Sequence, residues 1–173
     1  MKHSGAWPMA LLLATLGGCR TGVDTPPQAV QPPSPPVTDL VARVRAAARA
    51  EDALEVTPLR DSQTEDLLAR AIRLEGLGDM AGAQQALNAA LQLAPGDPLL
   101  LQQAAELALL RRDWDQAIAL AGQSFASGPQ LGSLCRRNWA TVQVAREQHG
   151  DSGGSAAALA RLQQCTVVAP VRM

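Results

Sequence analysis

The sequence predicts an all-α fold: a short solenoid of antiparallel helical hairpins preceded by an extra N-terminal helix. From Thr38 onward the chain is rich in Ala, Leu, Gln and Arg and has almost no runs of strand-forming residues. Residues that start and stop helices punctuate this region at regular intervals. Six positions also recur after 34 residues, a period typical of stacked helix–turn–helix units.

The first 18 residues have the layout of a secretory signal segment. Lys2 and His3 form a weakly basic start, and the apolar run that follows is too short to cross a bilayer as a helix. The run Leu16-Gly17-Gly18-Cys19 resembles a bacterial lipobox, in which a peptidase cuts before the cysteine and the sulfur receives a lipid. We expect residues 1–18 to be a lipoprotein signal peptide and Cys19 to be lipidated; an ordinary signal peptide with a chance cysteine is the alternative.

The residue after Cys19 indicates the membrane. In the lipoproteins that this segment resembles, Asp at that position favours the inner membrane, so Arg20 implies the inner leaflet of the outer membrane, facing the periplasm. Each buried methylene of an acyl chain contributes about 0.8 kcal/mol of membrane affinity, so two or three chains hold a protein firmly. Without Lys2 the chain carries 14 arginines and 16 carboxylates, and this balance gives no reason to expect a nucleic-acid partner.

Residues 19–37 are the predicted tether between the lipid and the folded part of the chain. The tether holds six of the twelve prolines, and this composition favours an extended polyproline II spacer of about 3.1 Å per residue. A proline-rich segment of this kind cannot build a core. We therefore expect the tether to hold the folded part away from the membrane.

Residues 38–60 are predicted to form an N-terminal helix and a connector. Thr38 or Asp39 can cap this helix because both side chains accept hydrogen bonds from backbone N–H groups. The residues of its apolar face are Leu40, Val41, Val44 and Ala48, and Leu54 can extend that face. The helix is expected to end before Pro58, since the residue before a proline disfavours helical geometry.

The 34-residue repeat predicts two helical hairpins, over about residues 64–97 and 98–131. Ser62 and Glu65 form a capping box at the start of the first hairpin. The repeated pairs are Leu67 and Leu101, Ala71 and Ala105, Asp79 and Asp113, Ala83 and Ala117, Ala90 and Ser124, and Pro95 and Pro129. The pattern resembles the tetratricopeptide repeat, although Arg112 stands where that pattern has glycine.

A degenerate third hairpin is predicted over residues 132–165, which completes a domain over residues 61–168 and leaves a tail at 169–173. Its helices are expected at 133–149 and 155–164. The start of one helix lies beside the end of its antiparallel partner, so Cys135 and Cys165 come together. An oxidising compartment favours a disulfide between this remaining pair; two buried free thiols are the alternative.

The run Gly150-Asp151-Ser152-Gly153-Gly154 is identical to the nucleophile motif of chymotrypsin-like serine proteases, but a catalytic interpretation does not fit. Those enzymes need a histidine and a carboxylate far upstream, and the distant His3 lies in the signal segment. His149 is adjacent in sequence, at a helix end. With one mature histidine we expect no metal site, no cofactor and no small-molecule substrate. The sequence predicts a binding protein without catalytic residues.

In tetratricopeptide proteins the first helices of the hairpins line a concave groove that binds partners. The residues expected to line this groove are Glu65, Leu68, Ile72, Glu75, Gln102, Glu106, Leu109, Arg136 and Gln143. They would form a mixed apolar and acidic surface. The alternative is that the N-terminal helix covers the apolar groove positions. Trp114 and Trp139 are expected in the hairpin cores, and the pairs Arg111-Arg112 and Arg136-Arg137 on solvated faces.

The stretch Gly128-Pro129-x-Leu131-Gly132-x-Leu134-Cys135-x-Arg137-Asn138-Trp139, with the lipid anchor, tether and disulfide-bonded repeat domain, resembles the LpoP-type outer-membrane lipoproteins. The resemblance implies a non-enzymatic protein that binds and activates a bifunctional peptidoglycan synthase, a class A penicillin-binding protein. Two alternatives remain open. One is a pilotin-like lipoprotein for secretin or type IV pilus assembly, and the other is a general envelope scaffold.

Overall fold

The structure, a computed structural model, describes residues 36–49 and 59–166. These residues form seven α-helices, and the predicted all-α class is confirmed. The helices are α1 (Val37–Ala47), α2 (Ser62–Gly76), α3 (Met80–Leu93), α4 (Pro98–Leu110), α5 (Trp114–Ser127), α6 (Gly132–Gln148) and α7 (Ser152–Gln164). Helices α2 and α3, α4 and α5, and α6 and α7 pack as consecutive hairpins, while α1 packs against α4 and α6.

The three hairpins turn through the same backbone geometry. Gly78 (φ 81°), Arg112 (φ 61°) and Gly150 (φ 81°) each adopt the left-handed conformation directly after the first helix of the hairpin. Glycine tolerates this conformation, whereas a residue with a Cβ pays about 1–2 kcal/mol for it. Arg112, which stands where the repeat pattern has glycine, is therefore locally strained. The turn nevertheless keeps the backbone geometry of the other two hairpins.

An aspartate caps the second helix of every hairpin. The carboxylates of Asp79, Asp113 and Asp151 each accept a hydrogen bond from the backbone N–H three residues later, at 2.8, 3.2 and 2.8 Å. In the third hairpin this acceptor belongs to the run at residues 150–154. That run is thus a helix–turn–helix connection in which the glycines and the aspartate have structural roles.

The repeated small residues lie at the helix interfaces of the first two hairpins. All of them are buried, and they are Ala71, Ala83 and Ala90 with their counterparts Ala105, Ala117 and Ser124. The hydroxyl of Ser124 donates to the carbonyl oxygen of Pro98 at 2.7 Å, so the one polar member of the set joins α5 to the start of α4. Small side chains at these positions allow close helix packing, as the 34-residue period predicts.

The start of α1 differs from the sequence-based expectation. The helix begins at Val37 after Pro36, and its N-terminus has no side-chain cap. Thr38 and Asp39 therefore lie within the first turn and do not cap the helix. Pro36 itself is extended (φ −55°, ψ 142°) and precedes the helix, and its ring offers no side-chain acceptor for the first N–H groups.

The capping box expected of Ser62 and Glu65 does not form. Asp61 caps α2 instead, and its carboxylate accepts from the backbone N–H of Thr64 at 2.9 Å and from the Thr64 hydroxyl at 2.6 Å. Ser62 is then the first helical residue. Asp61 and Ser62 could each cap the helix, and Asp61 does so because its carboxylate accepts from both the N–H and the hydroxyl of Thr64.

A disulfide joins the ends of the third hairpin. Cys135 and Cys165 are bonded, with their Cα atoms 5.7 Å apart, and the N–H of Gly132 donates to the carbonyl oxygen of Cys165 at 2.8 Å. The predicted disulfide is therefore present. Helix α7 begins at Ser152, three residues before the predicted start at 155, because the Asp151 cap lets the glycines enter the helix.

Several predictions fall outside the described residues. They are the signal peptide at 1–18, lipidation of Cys19, most of the tether, the connector at 50–58 and the tail at 169–173. Within residues 36–49 and 59–166, none of the helices combines the length and the apolar character needed to cross a membrane.

Candidate functional site

Helix α1 lies on the face formed by the first helices of the hairpins. Its residues Leu40, Val41 and Val44 are buried and share an apolar cluster with Leu109 of α4 and Val144 of α6. Burial of a branched apolar side chain contributes about 1.5–3 kcal/mol before the cost of ordering the chain. The apolar part of the expected partner groove is therefore covered by the chain's own helix.

Glu106 of α4 is the centre of a buried polar network beneath α1. Its side chain is 0% exposed. Arg45 of α1 donates to its carboxylate at 2.8 Å, and Arg137 of α6 donates to both carboxylate oxygens, with Nη2 and Oε2 2.8 Å apart. The Gln102 amide donates at 2.9 Å and also reaches the Thr141 hydroxyl at 2.8 Å. A buried carboxylate needs such partners because an unpaired buried charge is strongly destabilising.

Glu75 of α2 is the second carboxylate of this network. It accepts hydrogen bonds from Arg45 Nη2 at 2.7 Å and from the Gln103 amide at 2.6 Å. One guanidinium, that of Arg45, thus bridges carboxylates on two different helices. Burial disfavours the charge of Arg45, but the carboxylates of Glu106 and Glu75 outweigh burial and raise the pKa of Arg45 above its usual value.

Four of the predicted groove residues do not line an accessible surface. Leu68 is buried in the apolar cluster that joins α2, α3 and α4. Gln102, Glu106 and Leu109 are fully buried between α4, α6 and α1. The expectation that these four side chains face a partner is therefore wrong, because α3 and α4 enclose Leu68, while α6 and the amphipathic α1 cover the face of α4 that carries the other three.

The other predicted groove residues are exposed or half-buried. Glu65 is exposed and Ile72 is 48% exposed on α2, whereas Glu75 is bound to Arg45. Arg136 donates to the carbonyl oxygen of Ala47 at 2.7 Å and so holds the C-terminal end of α1. Gln143 is half-buried and lines a shallow depression with residues of α1, α6 and α7.

Two cations of the network do not stand out in the sequence. Arg45 had no assigned role, and Arg137 was expected on a solvated face, yet its side chain is only 18% exposed. A usable signal was present in α4, which is apolar on all sides except for Gln102, Gln103 and Glu106. Polar residues in a helix that is otherwise buried require partners from neighbouring helices.

The aromatic residues of the described part of the chain belong to the hairpins. Trp114 is half-buried against the cluster that contains α1, and Trp139 packs with Phe125 edge to face at 5.1 Å between ring centroids. Arg161 lies above the Trp139 ring, 6.0 Å from its centroid. In the part of the chain that the structure describes, no group of three or more His, Cys, Asp or Glu residues is placed to hold a metal ion.

The arrangement matches a known protein domain. The solved structure of the globular C-terminal domain of P. aeruginosa LpoP is similar, with a TM-score of 0.58 and 28% sequence identity. The match covers 61% of this chain and 99% of that chain. No family model and no curated protein matches the chain. The helical domain is therefore similar in fold and sequence to the globular domain of LpoP, which confirms the resemblance that the sequence indicated.

Proposed function

We propose that this protein is a non-enzymatic activator of a class A penicillin-binding protein, the role of the LpoP-type lipoproteins that it resembles. The observation that supports this most is the match to nearly the whole globular domain of P. aeruginosa LpoP at 28% identity. A binding partner can activate a synthase only to the extent that it binds the active conformation more tightly than the inactive one.

The proposed arrangement in the cell follows from the N-terminal sequence. Residues 1–18 are removed, Cys19 carries the lipid in the inner leaflet of the outer membrane, and residues 20–36 form the tether, since α1 begins at Val37. At about 3.1 Å per residue the tether reaches on the order of 55 Å. The helical domain at residues 61–168 is thereby presented to a synthase that itself projects from the inner membrane.

The proposed contact surface is the part of the first-helix face that α1 leaves open. Glu65 and Ile72 lie on α2, seven residues apart and so on one side of the helix, and Ile72 is a half-exposed branched apolar residue. An exposed apolar side chain on an open helical face suits a protein interface better than a small-molecule site, which is concave and encloses its ligand.

Binding of the chain to purified class A penicillin-binding protein, measured by biolayer interferometry, tests this proposal. We expect micromolar or tighter binding that Ile72→Glu weakens at least tenfold. Leu159→Glu is the matched control because Leu159 is similarly exposed, at 41%, but lies on α7. No binding by the native chain, or equal weakening by both changes, would contradict the proposal; selective capture of a secretin would favour the pilotin-like alternative.

A further inference from the structure

We propose that α1 is a replaceable occupant of the groove, and that the groove accepts in its place an amphipathic helix of a partner protein that carries an arginine. The partner helix would repeat the pattern of α1, with apolar residues at the spacing of Val37, Leu40, Val41 and Val44 and the arginine directly after them. This inference adds a second contact, in the groove under α1, to the open surface around Ile72 that the proposed function uses, and it rests on that function only for the identity of the partner.

Helix α1 is bound as a separate helix binds in a groove. Its buried residues Leu40, Val41 and Val44 and its half-buried residues Val37 and Ala47 lie along one stripe. Their spacing of three, four, seven and ten residues is that of the anchors in helix-in-groove complexes. Arg45 adds one polar anchor to this stripe through its bonds to α2 and α4.

The hairpins have apolar clusters that do not involve α1. One cluster joins α2, α3 and α4 around Leu68, Leu87 and Leu100, and another joins α4 to α7 around Ala105 and Val142. Neither contains a residue of α1 among its members. Departure of α1 would therefore expose the cluster that it shares with α4, α5 and α6, and leave these two clusters packed.

The polar network also keeps its partners when α1 leaves. Glu106 retains Arg137 and Gln102, and Glu75 retains the Gln103 amide at 2.6 Å. No carboxylate would be left buried without a hydrogen-bond donor. We call the surface under α1, formed by α4 and α6 around Glu106, the groove floor. Its polar side chains are held in place without α1, as expected of a receptor surface formed before its ligand arrives.

The carboxylates of Glu106 and Glu75 in the groove determine that the ligand helix carries an arginine. Arg45 Nε bonds to Glu106 while Arg45 Nη2 bonds to Glu75, at 2.8 and 2.7 Å. The planar fork of a guanidinium can span two separate carboxylates, whereas the ammonium of lysine is a compact point charge that holds one of them well. The apolar floor around Leu109 and Val144 supplies the remaining affinity for the apolar side of a helix.

Apart from its contacts with the groove, α1 has little stability of its own. The helix has 11 residues and no side-chain N-cap, and isolated helices below about 12–15 residues are marginal in water. Two of its polar attachments lie at its rim: Arg43 pairs with Glu147 at 2.8 Å with both side chains nearly half exposed, and Arg136 holds the carbonyl of Ala47.

The test uses the full chain and a fluorescently labelled synthetic peptide of residues 36–49 as the probe for a partner helix. Val44→Asp in the chain places a charge in the apolar seam and releases the chain's own α1. Fluorescence anisotropy should show at least tenfold tighter peptide binding to this variant than to the native chain. Arg45→Ala in the chain, which keeps the apolar seam, should also increase peptide binding and serves if the first variant misfolds.

The peptide variants test the proposed chemistry. A peptide with Arg45→Ala should bind at least tenfold more weakly than the native peptide, and one with Arg45→Lys should lie between them. Arg43→Ala in the peptide is the matched control and should change binding less than twofold, since Arg43 contacts the exposed Glu147.

Three results would overturn the inference. The first is no peptide binding to either chain variant while circular dichroism shows its helices intact. The second is equal weakening by the Arg45→Ala and Arg43→Ala changes in the peptide. The third is a dimer in light scattering that exchanges α1, which would make a second copy the occupant. Peptide binding as expected by a chain that binds no synthase would support this inference and contradict the proposed function.

Discussion

Replacing Arg137 by methionine should destabilise the protein far more than the same replacement of Arg45 or Arg43. Arg137 donates to both oxygens of the fully buried Glu106 and to the Gln103 amide oxygen at 3.0 Å. Methionine keeps much of the aliphatic packing of the side chain but removes every one of these donors. The buried carboxylate then depends on Arg45 and on the Gln102 amide.

The expected loss in the free energy of unfolding depends on how deeply each arginine and its partner are buried. Removing one partner of a buried ion pair costs about 3–5 kcal/mol, and since Arg45 remains as a second cation we expect about 3 kcal/mol for Arg137→Met. The Arg45 side chain is 36% exposed, and the substitution Arg45→Met leaves Arg137 bound to Glu106. This substitution should therefore lower the free energy of unfolding by only about 1 kcal/mol. Arg43→Met removes an exposed pair and should cost less than about 0.5 kcal/mol.

Equilibrium unfolding in urea, followed by circular dichroism at 222 nm, measures all three free energies of unfolding. The native and variant slopes should agree, so that the midpoints report stability. If Arg137→Met costs no more than Arg43→Met, Glu106 is not held by Arg137 in a buried network, and the account of the groove floor fails.

Reducing the Cys135–Cys165 disulfide should lower stability by about 3.5 kcal/mol, because the 30-residue separation sets the loop entropy; thermal melts with and without reductant measure this, and an unchanged melting temperature would contradict it. Arg112→Gly should raise stability by about 0.5–1 kcal/mol in urea unfolding, since relief of the left-handed strain exceeds the added freedom of the unfolded chain; a loss would show that the side chain matters more than the backbone. Hydrogen bonds from Thr64 hold the pKa of Asp61 below its usual value, and those from Gly154 and Arg146 do the same for Asp151. In the unfolded chain an aspartate has a pKa of about 4, so the stabilisation from these caps is complete above that pH. It is lost as the pH falls through the lower pKa that each aspartate has in the folded protein. Asp61→Asn should flatten the dependence of stability on pH between about 5 and 3, and an unchanged slope would rule out the Asp61 contribution.

The hairpins could be predicted because local and repeated signals agree. The buried alanines and the aspartate caps at Asp79 and Asp113 stand at the same spacing in both repeats, so each supports the same helix boundaries. The third hairpin could be predicted from its two helical segments and the glycine-rich turn between them, and the hairpin in turn predicted the pairing of the two cysteines. Its second helix starts earlier than predicted because glycines in a run suggest a loop, while the Asp151 cap in fact draws them into a helix.

The groove could be predicted only in outline because its content depends on contacts between distant residues. The apolar stripe of α1 indicates that one face is buried but does not indicate which surface buries it. Arg137 and Glu106 are 31 residues apart, and nothing local distinguishes a surface arginine from one that pairs with a buried carboxylate. Contacts between helices also bury four residues that the repeat pattern places at a partner surface, namely Leu68, Gln102, Glu106 and Leu109.

The most direct test of the proposed function is the rate at which a purified class A penicillin-binding protein polymerises lipid-linked peptidoglycan precursor, with and without this chain. We expect the rate to rise with chain concentration and to saturate, and Ile72→Glu to shift that curve to higher concentration while Leu159→Glu leaves it unchanged. A rate that stays constant up to saturating concentrations of the folded chain would contradict the account.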